Sequence, residues 1–231
     1  MLLAIDTATA TASVSLYDGS VVAECTWQAG QDHTRQLLPR VHLLLEMTGR
    51  STRELTAVGV SLGPGSYNGL RVGLATAKAI CFSLGIPIIG IETLRVTAYA
   101  FRLTGRPIRP LYHAGMGEVA TGLYRARGEV FATLEEPHLT ALADALAMSP
   151  PDTVFCGELR PEWCRLIAER FGGESVLVRP AEGVRRAGYL AELAWQQLQA
   201  GRVDDAVTLQ PLYLRRPQIT AARPRSTGGQ R

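Results

Sequence analysis

Apolar and polar positions alternate in a regular way at the start of the chain. Residues 1–5 are apolar throughout, as expected for a buried strand. Residues 12–17 and 20–27 alternate between apolar and polar side chains on either side of Asp18-Gly19. A two-residue Asp-Gly connection between alternating segments is typical of a β-hairpin. The pattern therefore predicts three consecutive antiparallel strands.

Helices and single strands alternate after this hairpin. Apolar side chains recur at helical spacing over residues 34–48, which end before Gly49, and Pro39 predicts a kink or a later start of that helix. The elements that follow are predicted as strands 57–62 and 87–91 and helices 68–84 and 94–103. The order β-β-β-α-β-α-β-α is that of a ribonuclease-H-like module.

The second half of the chain repeats this order in shortened form, after a boundary at 105–107. We predict strands at 108–113, 120–125, 129–134, 153–156 and 175–178 and helices at 139–148, 161–171 and 187–200. Two such modules in tandem describe the α/β fold that actin, hexokinase and the heat-shock ATPases share, with the second module reduced here. The predicted division is an N-terminal subdomain at 1–104, a smaller C-terminal subdomain at 105–216 and a flexible tail at 217–231.

A candidate for phosphate chemistry lies directly after the first strand. Proteins of that fold place Asp-x-Gly-Thr-like turns around an ATP phosphate chain, where the carboxylate holds Mg²⁺. Residues 6–9 keep the aspartate and lack the glycine. Asp6 and Thr7 therefore form either a degenerate phosphate turn or a strand end at which the aspartate caps its own backbone.

The most distinctive segment turns the chain from a strand into a glycine-rich helix at residues 61–78, SLGPGSYNGLRVGLATAK. In this helix Gly69, Gly73 and Ala77 are four residues apart and share one face. Glycine costs about 1 kcal/mol relative to alanine in a helix interior, so Gly73 indicates close packing. The stripe packs either on the protein's own sheet or on a second subunit.

Composition excludes several classes of protein. The chain has 46% hydrophobic and 19% charged residues, and its formal net charge is only +3. The tail carries Arg223, Arg225 and Arg231 without an acid, so the rest is close to neutral and gives no strong argument for nucleic acid. The tail arginines either are solvated or contact the phosphates of a nucleic acid.

The cysteines and the apolar segments predict a soluble cytoplasmic protein with no membrane partner. The four cysteines contain no C-x-x-C pair, which favours structural thiols in a reducing compartment. The chain begins with a strand instead of the basic region of a signal peptide. The apolar residues 79–91 are too few to span a bilayer and are interrupted by Gly85 and Pro87.

Histidine spacing and lysine position argue against two kinds of catalytic site. No two of His33, His42, His113 and His138 lie three or four residues apart, so a metal site would need separate segments to converge. Lys78 lies in mid-helix and follows no Gly-x-x-x-x-Gly, so the phosphate-binding Walker motif is lacking. We expect no metal site and no catalytic residue in this chain.

Five segments together resemble the TsaB (YeaZ) family of bacterial tRNA-modification proteins. They are residues 3–9, 33–39, 63–78, 117–119 and 211–215. The resemblance implies a required scaffold in the machinery that forms threonylcarbamoyladenosine next to the anticodon. It implies pairing with the catalytic paralogue TsaD through the first two helices, with the small ATPase TsaE joining and tRNA reached through the complex.

The candidate partner interface follows from these two helices. It comprises His33, Leu37, Leu38, Val41, Gly69, Arg71, Gly73 and Ala77. The same surface suits a homodimer when the paralogue is absent. The alternatives are a leucine stripe that faces the protein's own sheet and solvated charges at Arg71. Whether ATP or ADP binds at the partner interface is left open.

One segment departs from the family pattern, which is close to Asp-Ala-Arg-x-Gly-Glu-Val-Tyr. Residues 113–120 read HAGMGEVA, so the acid, the arginine and the aromatic residue are lost and Glu118 is kept.

Two other functions are alternatives to the scaffold. A stand-alone ATPase or sugar-kinase-like enzyme would depend on Asp6, and a peptidase would need a metal pair or an activated nucleophile.

Overall fold

Two five-stranded sheets form the framework of the computed structural model. The structure describes residues 1–128, 130–173 and 176–215, so the predicted tail at 217–231 lies outside the described residues. The strands are β1 (Leu2–Asp6), β2 (Thr11–Tyr17), β3 (Val21–Gln28), β4 (Ala57–Ser61), β5 (Ile88–Ile91), β6 (Ile108–His113), β7 (Glu118–Arg127), β8 (Val130–Ala141), β9 (Val154–Gly157) and β10 (Val176–Leu177). The helices are α1 (His33–Met47), α2 (Tyr67–Leu84), α3 (Thr93–Tyr99), α4 (Leu142–Ala147), α5 (Pro161–Phe171) and α6 (Ala187–Gln199), and short 3₁₀ turns lie at Thr52–Glu54 and Arg102–Thr104.

The two sheets share one strand order. The first is β3-β2-β1-β4-β5, and the second is β8-β7-β6-β9-β10. In each sheet the first three strands along the chain are antiparallel, and the fourth and fifth continue the sheet in parallel. This confirms the predicted α/β fold of two tandem ribonuclease-H-like subdomains. The second is reduced, because β10 has only 2 residues and α4 only 6.

Every residue of β1 is buried, because helices cover both faces of the first sheet. Leu3 and Ile5 pack in the core formed with α1 and α2, whereas Leu2 and Ala4 pack in the core formed with α6. Side chains on a strand alternate between the two faces, so an uninterrupted apolar run is typical of a strand buried on both sides.

The helix α6 lies in the C-terminal half of the sequence and covers the first sheet. Leu190 and Ala194 on this helix pack in one core with Leu2, and the same core reaches Tyr112 and Tyr124 of the second sheet. On its outer face, the second sheet is covered by α4 and α5. The order of layers is therefore α1–α2, first sheet, α3–α6, second sheet, α4–α5. The division of the sequence at residues 104 and 105 stays a prediction.

The structure corrects three predicted helix boundaries. The first helix begins at His33 and contains Pro39, which lies on an exposed face, so the predicted later start was wrong. The predicted helix at 94–103 ends at Tyr99, and a 3₁₀ turn follows it. The predicted helix at 139–148 is strand as far as Ala141, because β8 continues its antiparallel pairing with β7 to that residue. Pairing with a neighbouring strand overrides local helical periodicity there.

Glu92 joins the two sheets at the end of β5. One of its carboxylate oxygens caps α3 and accepts from Leu94 N at 2.7 Å, and the other accepts from the Tyr124 hydroxyl of β7 at 2.6 Å. Burial raises the pKa of Glu92 to about 7, although these hydrogen bonds oppose the shift. The junction between the sheets therefore contains a carboxyl group that titrates near neutral pH.

We expect Glu92 to make the protein less stable as the pH rises from about 4.5 to about 7. In that window the folded protein keeps a proton on Glu92 that the unfolded chain has released, so the free energy of unfolding falls with pH. The contribution is about 3 kcal/mol at most. Urea unfolding of the parent and of Glu92→Gln at several pH values measures it. The variant should lose this part of the slope, and equal slopes in the two proteins would contradict the assignment.

Candidate functional site

The turn after β1 and the turn before α2 lie in direct contact. Strands β1 and β4 are parallel neighbours, so their carboxyl ends meet at one edge of the sheet. Ser66 N donates to Ala8 O at 2.6 Å, and Thr7 Oγ1 donates to Gly69 O at 2.7 Å. A Cβ atom added to Gly69 would lie 2.1 Å from the Thr7 carbonyl oxygen. Only glycine allows the backbone of α2 to approach the turn this closely.

The stripe of small residues on α2 faces the protein's own first sheet. A Cβ atom on Gly73 would lie 2.2 Å from Thr7 Oγ1 and 3.7 Å from an Ile5 methyl group. Gly69, Gly73 and Ala77 are all buried. Of the two alternatives for this stripe, packing on its own sheet is the one observed. The chain itself thus covers these three residues, and their role in partner contact stays a prediction.

Asp6 lies in a buried ion pair with Arg185. Its Oδ1 accepts from Ala8 N at 3.0 Å, from Ser61 Oγ at 3.0 Å and from Arg185 Nη2 at 3.1 Å. Its Oδ2 accepts from Arg185 Nε. The guanidinium also donates from Nη1 to the Tyr112 hydroxyl at 3.0 Å. Asp6 is 0% exposed and Arg185 is 6% exposed, so the charges neutralise each other out of contact with water.

The side chains of Asp6 and Thr7 are both bonded within the chain. The carboxylate of Asp6 binds an arginine at the position where a phosphate turn would hold Mg²⁺, and it also caps its own backbone at Ala8. The hydroxyl of Thr7 is bonded to α2. The structure thus shows the backbone cap and a buried ion pair, and the degenerate phosphate turn stays a prediction. Burial is the largest single effect and disfavours the charged Arg185, but the charge attraction and hydrogen bonds of Asp6 and Tyr112 together outweigh it and hold the pKa of Arg185 above its ordinary value.

A cleft of about 620 Å³ lies between the two sheets, beside this ion pair. One wall is formed by the two turns of the first subdomain, the opposite wall by the end of β6 and the residues that follow it, and a third by residues 212–215. Among its lining residues are His113, Ala114, Met116 and Ala120. The segment that departs from the family pattern thus lines this cleft, where it places small and apolar side chains.

The candidate interface residues on α1 and α2 fall into two groups, one buried and one exposed. His33, Leu37 and Val41 are buried in the first subdomain, and His33 Nε2 lies 2.8 Å from the Thr9 carbonyl oxygen. The leucine stripe thus faces the protein's own sheet, and a role of these three residues in partner contact stays a prediction. Leu38 is 55% exposed, and Arg71 is exposed and donates to the Tyr67 hydroxyl at 2.7 Å.

An exposed apolar groove of about 530 Å³ lies between α1 and α2 around Leu38. We call it the α1–α2 groove. The residues that line it are Leu38, Thr52, Ala75, Thr76, Ala79, Ile80, Ser83 and Leu84. None of them is charged, so this side of α2 presents an uncharged, largely apolar surface. Ala75 and Ala79 lie on the exposed side of α2, away from the glycines that pack on the sheet.

Sequence reasoning missed the two residues that complete the ion pair and its surroundings. Arg185 lies 179 residues after Asp6, in the segment that enters α6, and Tyr112 lies at the end of β6. Neither belongs to a local motif. The only signal was that the Asp6 carboxylate, at the end of a buried strand, needs a partner. That signal does not identify which of the many arginines provides it.

Two negative findings apply to the part of the chain that the structure describes. Within 1–128, 130–173 and 176–215, no three His, Cys, Asp or Glu side chains come together in a group that could hold a metal ion. No helix in these ranges is both long and apolar enough to cross a membrane.

The two tandem subdomains around a cleft define a protein of the two-lobed fold shared with actin and hexokinase. Residues 19–160 match the family model described as TsaD: tRNA N6-adenosine threonylcarbamoyltransferase. The tRNA threonylcarbamoyladenosine biosynthesis protein TsaB of Bacillus subtilis (strain 168) is 30% identical, over 95% of this chain and 96% of its own length. The chain belongs to the TsaB (YeaZ) family.

Two further comparisons agree with this assignment. TsaB of Escherichia coli (strain K12) is 34% identical over 54% of each chain. A crystal structure from Pseudomonas aeruginosa, of an uncharacterized protein with similarity to peptidase YEAZ, superposes with a TM-score of 0.79. It is 23% identical and covers 93% of this chain and 99% of that chain. At this identity the superposition supports the fold alone.

We expect Gly69→Ala to destabilise the protein by about 1–3 kcal/mol, because the new Cβ must displace the Thr7 backbone. Helix propensity alone predicts the opposite sign, a gain of about 1 kcal/mol. Urea unfolding gives the difference. Gly173→Ala is the control, since nothing lies within 4 Å of a Cβ there. A stabilised Gly69→Ala protein would show that the close approach is not required.

We expect Arg185→Met to cost about 3–5 kcal/mol, because it leaves the Asp6 charge buried without a partner. Adding Asp6→Asn should recover part of this loss, since the double variant buries no charge. The control is Arg50→Met, which removes an arginine that is 46% exposed and paired with Glu54, itself 40% exposed, so its loss of stability should be small. Equal losses of unfolding free energy for the two single variants would refute the buried pair as a stabilising element.

Proposed function

We propose that this protein is a non-catalytic partner subunit in the formation of threonylcarbamoyladenosine in tRNA. In this proposal it binds the catalytic paralogue TsaD through the α1–α2 groove. The observation that carries the proposal is that this groove is apolar and exposed, with Leu38 at 55% exposure in its wall. The name of the Bacillus subtilis relative, a biosynthesis protein of the same modified nucleoside, supports the choice of reaction.

The match to the TsaD family model supports the choice of partner. It covers residues 19–160, a range that contains α1 and α2, so the paralogue has a segment that corresponds to both helices. Two helix pairs of the same kind can pack face to face about a pseudo-twofold axis. Ala75 and Ala79 allow a facing helix to approach closely, and Leu38 and Ile80 provide the apolar area.

The ion pair between Asp6 and Arg185 supports a non-catalytic role. A stand-alone ATPase of this fold would use the first aspartate to hold Mg²⁺, and here the carboxylate is occupied by a buried guanidinium. In our proposal the partner transfers the threonylcarbamoyl group, and this chain positions the partner. ATP or peptide hydrolysis by this chain alone, lost on substitution of Asp6, would contradict the assignment.

The remaining components of the proposal concern assembly. The small ATPase TsaE joins the pair in the cytoplasm, and tRNA is bound by the complex as a whole. When the paralogue is absent, the same groove forms a homodimer. Arg71 lies on the exposed side of α2, where it would contact the edge of the partner. Binding of ATP or ADP at the interface stays an open question.

We expect Leu38→Arg to weaken binding of the TsaD paralogue from the same genome by about 30-fold or more, as for a central apolar contact. Size-exclusion chromatography with light scattering, followed by titration calorimetry, measures the complex and its affinity. Leu103→Arg is the matched control, because Leu103 is 89% exposed on the turn between α3 and β6. That variant should bind as the parent does.

The modified nucleoside provides a second readout. Formation of threonylcarbamoyladenosine by the reconstituted proteins should fall with Leu38→Arg in proportion to the loss of complex, and Leu103→Arg should leave it unchanged. Full modification without any complex would overturn the scaffold assignment. An undiminished complex with Leu38→Arg would show that the partner binds elsewhere.

A further inference from the structure

The residues that follow α6 cross from the first sheet to the second. We call residues 203–215 the C-terminal strap. The strap begins beside the edge strand β5, where Asp204 N donates to Ile88 O at 2.9 Å. Farther along, Leu212 N donates to Leu62 O at 2.7 Å, just after β4. Backbone hydrogen bonds therefore fix the strap to the first sheet at two places.

Apolar packing and side-chain bonds strengthen this anchored part. Ala206 and Leu209 pack against the core formed with α1 and α2. Val207 N donates to Asp205 Oδ1 at 2.8 Å, and Lys78 Nζ of α2 donates to Val207 O at 3.3 Å. From residue 204 to residue 212 the strap is thus part of the first subdomain.

The tip of the strap, residues 213–215, contacts both subdomains. The ring of Tyr213 lies 5.3 Å from that of Tyr67, at the start of α2. Beyond it, Arg215 forms an ion pair with Glu118 at the start of β7 and donates to Met116 Sδ at 3.3 Å. The side chains of Arg215 and Glu118 are 41% and 34% exposed. This ion pair, which we call the latch, links the tip to the second subdomain.

The tip is one wall of the cleft between the subdomains. Tyr213, Leu214 and Arg215 line the cleft together with Ala114 and Met116, and Glu118 follows these two residues at the start of β7. Glu118 is the charged residue that the divergent segment keeps. Displacing the tip would therefore remove a wall of the cleft and leave the anchored strap in place.

We propose that the tip of the strap is a hinged lid on the cleft, closed by the latch between Arg215 and Glu118. The hinge lies after Leu212, the last strap residue that is bonded to the first sheet. An exposed ion pair shifts an equilibrium by about fivefold at most and weakens as salt is added. The latch alone is weak enough to break, and opening must also release Tyr213 from Tyr67 and Leu214 from the core between the sheets. The cleft and the α1–α2 groove share no lining residue, so this lid goes beyond the proposed pairing.

A cysteine inside the cleft reports whether the lid is open. The reporter is Ala114→Cys in a protein with Cys25→Ser and Cys164→Ser, since Cys81 and Cys156 are buried. Its reaction rate with Ellman's reagent follows the open population when opening is faster than labelling. We expect added salt to raise this rate, and Glu118→Gln to raise it by about two- to fivefold at low salt and to abolish the salt response.

A charge exchange and a matched control separate the latch from other effects. Glu118→Arg combined with Arg215→Glu should restore slow labelling and its salt dependence. Glu162→Gln, an exposed acid on α5, should change neither. Urea unfolding of each variant checks that the protein remains folded. Equal labelling rates for the parent and for Glu118→Gln, or failure of the charge exchange to restore protection, would overturn the proposal.

Discussion

The close contact between α2 and the turn after β1 is the constraint on which much of this structure depends. Backbone lies against backbone at Gly65 and Gly69, where an added Cβ would come within 2.2 Å and 2.1 Å of the carbonyl oxygens of Ala8 and Thr7. Because the glycine face of α2 is turned toward the sheet, the opposite face, with Ala75 and Ala79, is exposed to solvent. The exposed α1–α2 groove is a consequence of how the helix packs inside.

The ion pair between Asp6 and Arg185 connects this contact to the rest of the molecule. The carboxylate lies at the end of β1, and the guanidinium comes from the segment that enters α6 and also contacts Tyr112 of the second sheet. One charge pair thus links the first subdomain, the second subdomain and the C-terminal helix. Such a pair is weak evidence for net stability, but losing one partner is costly, so it fixes the arrangement of the three elements.

Local patterns predicted the fold well because each sheet is built from five consecutive strands. Alternation in 12–27 and the Asp18-Gly19 turn are sufficient for the hairpin, and the helix at 68–84 was predicted within one residue of α2. What local patterns could not supply were contacts between distant residues. Arg185 carries no local signal, β8 continues past residue 138 only because β7 lies beside it, and the burial of Gly73 depends on the position of Thr7. Local patterns could therefore predict the two helices but not which of their residues are exposed.

The α1–α2 groove and the cleft between the sheets have different physical origins. The α1–α2 groove is uncharged, and both of its helices pack on the core that they form with the first sheet. A fixed, uncharged surface suits a lasting contact with a partner of similar shape. The cleft is bounded by elements of both subdomains and by a strap whose tip is held by an exposed ion pair, which suits a site that opens and closes. Loss of the acid, arginine and aromatic residue at 113–120 affects only the second surface. A member of this family can therefore change its cleft without changing the face that we propose for its partner.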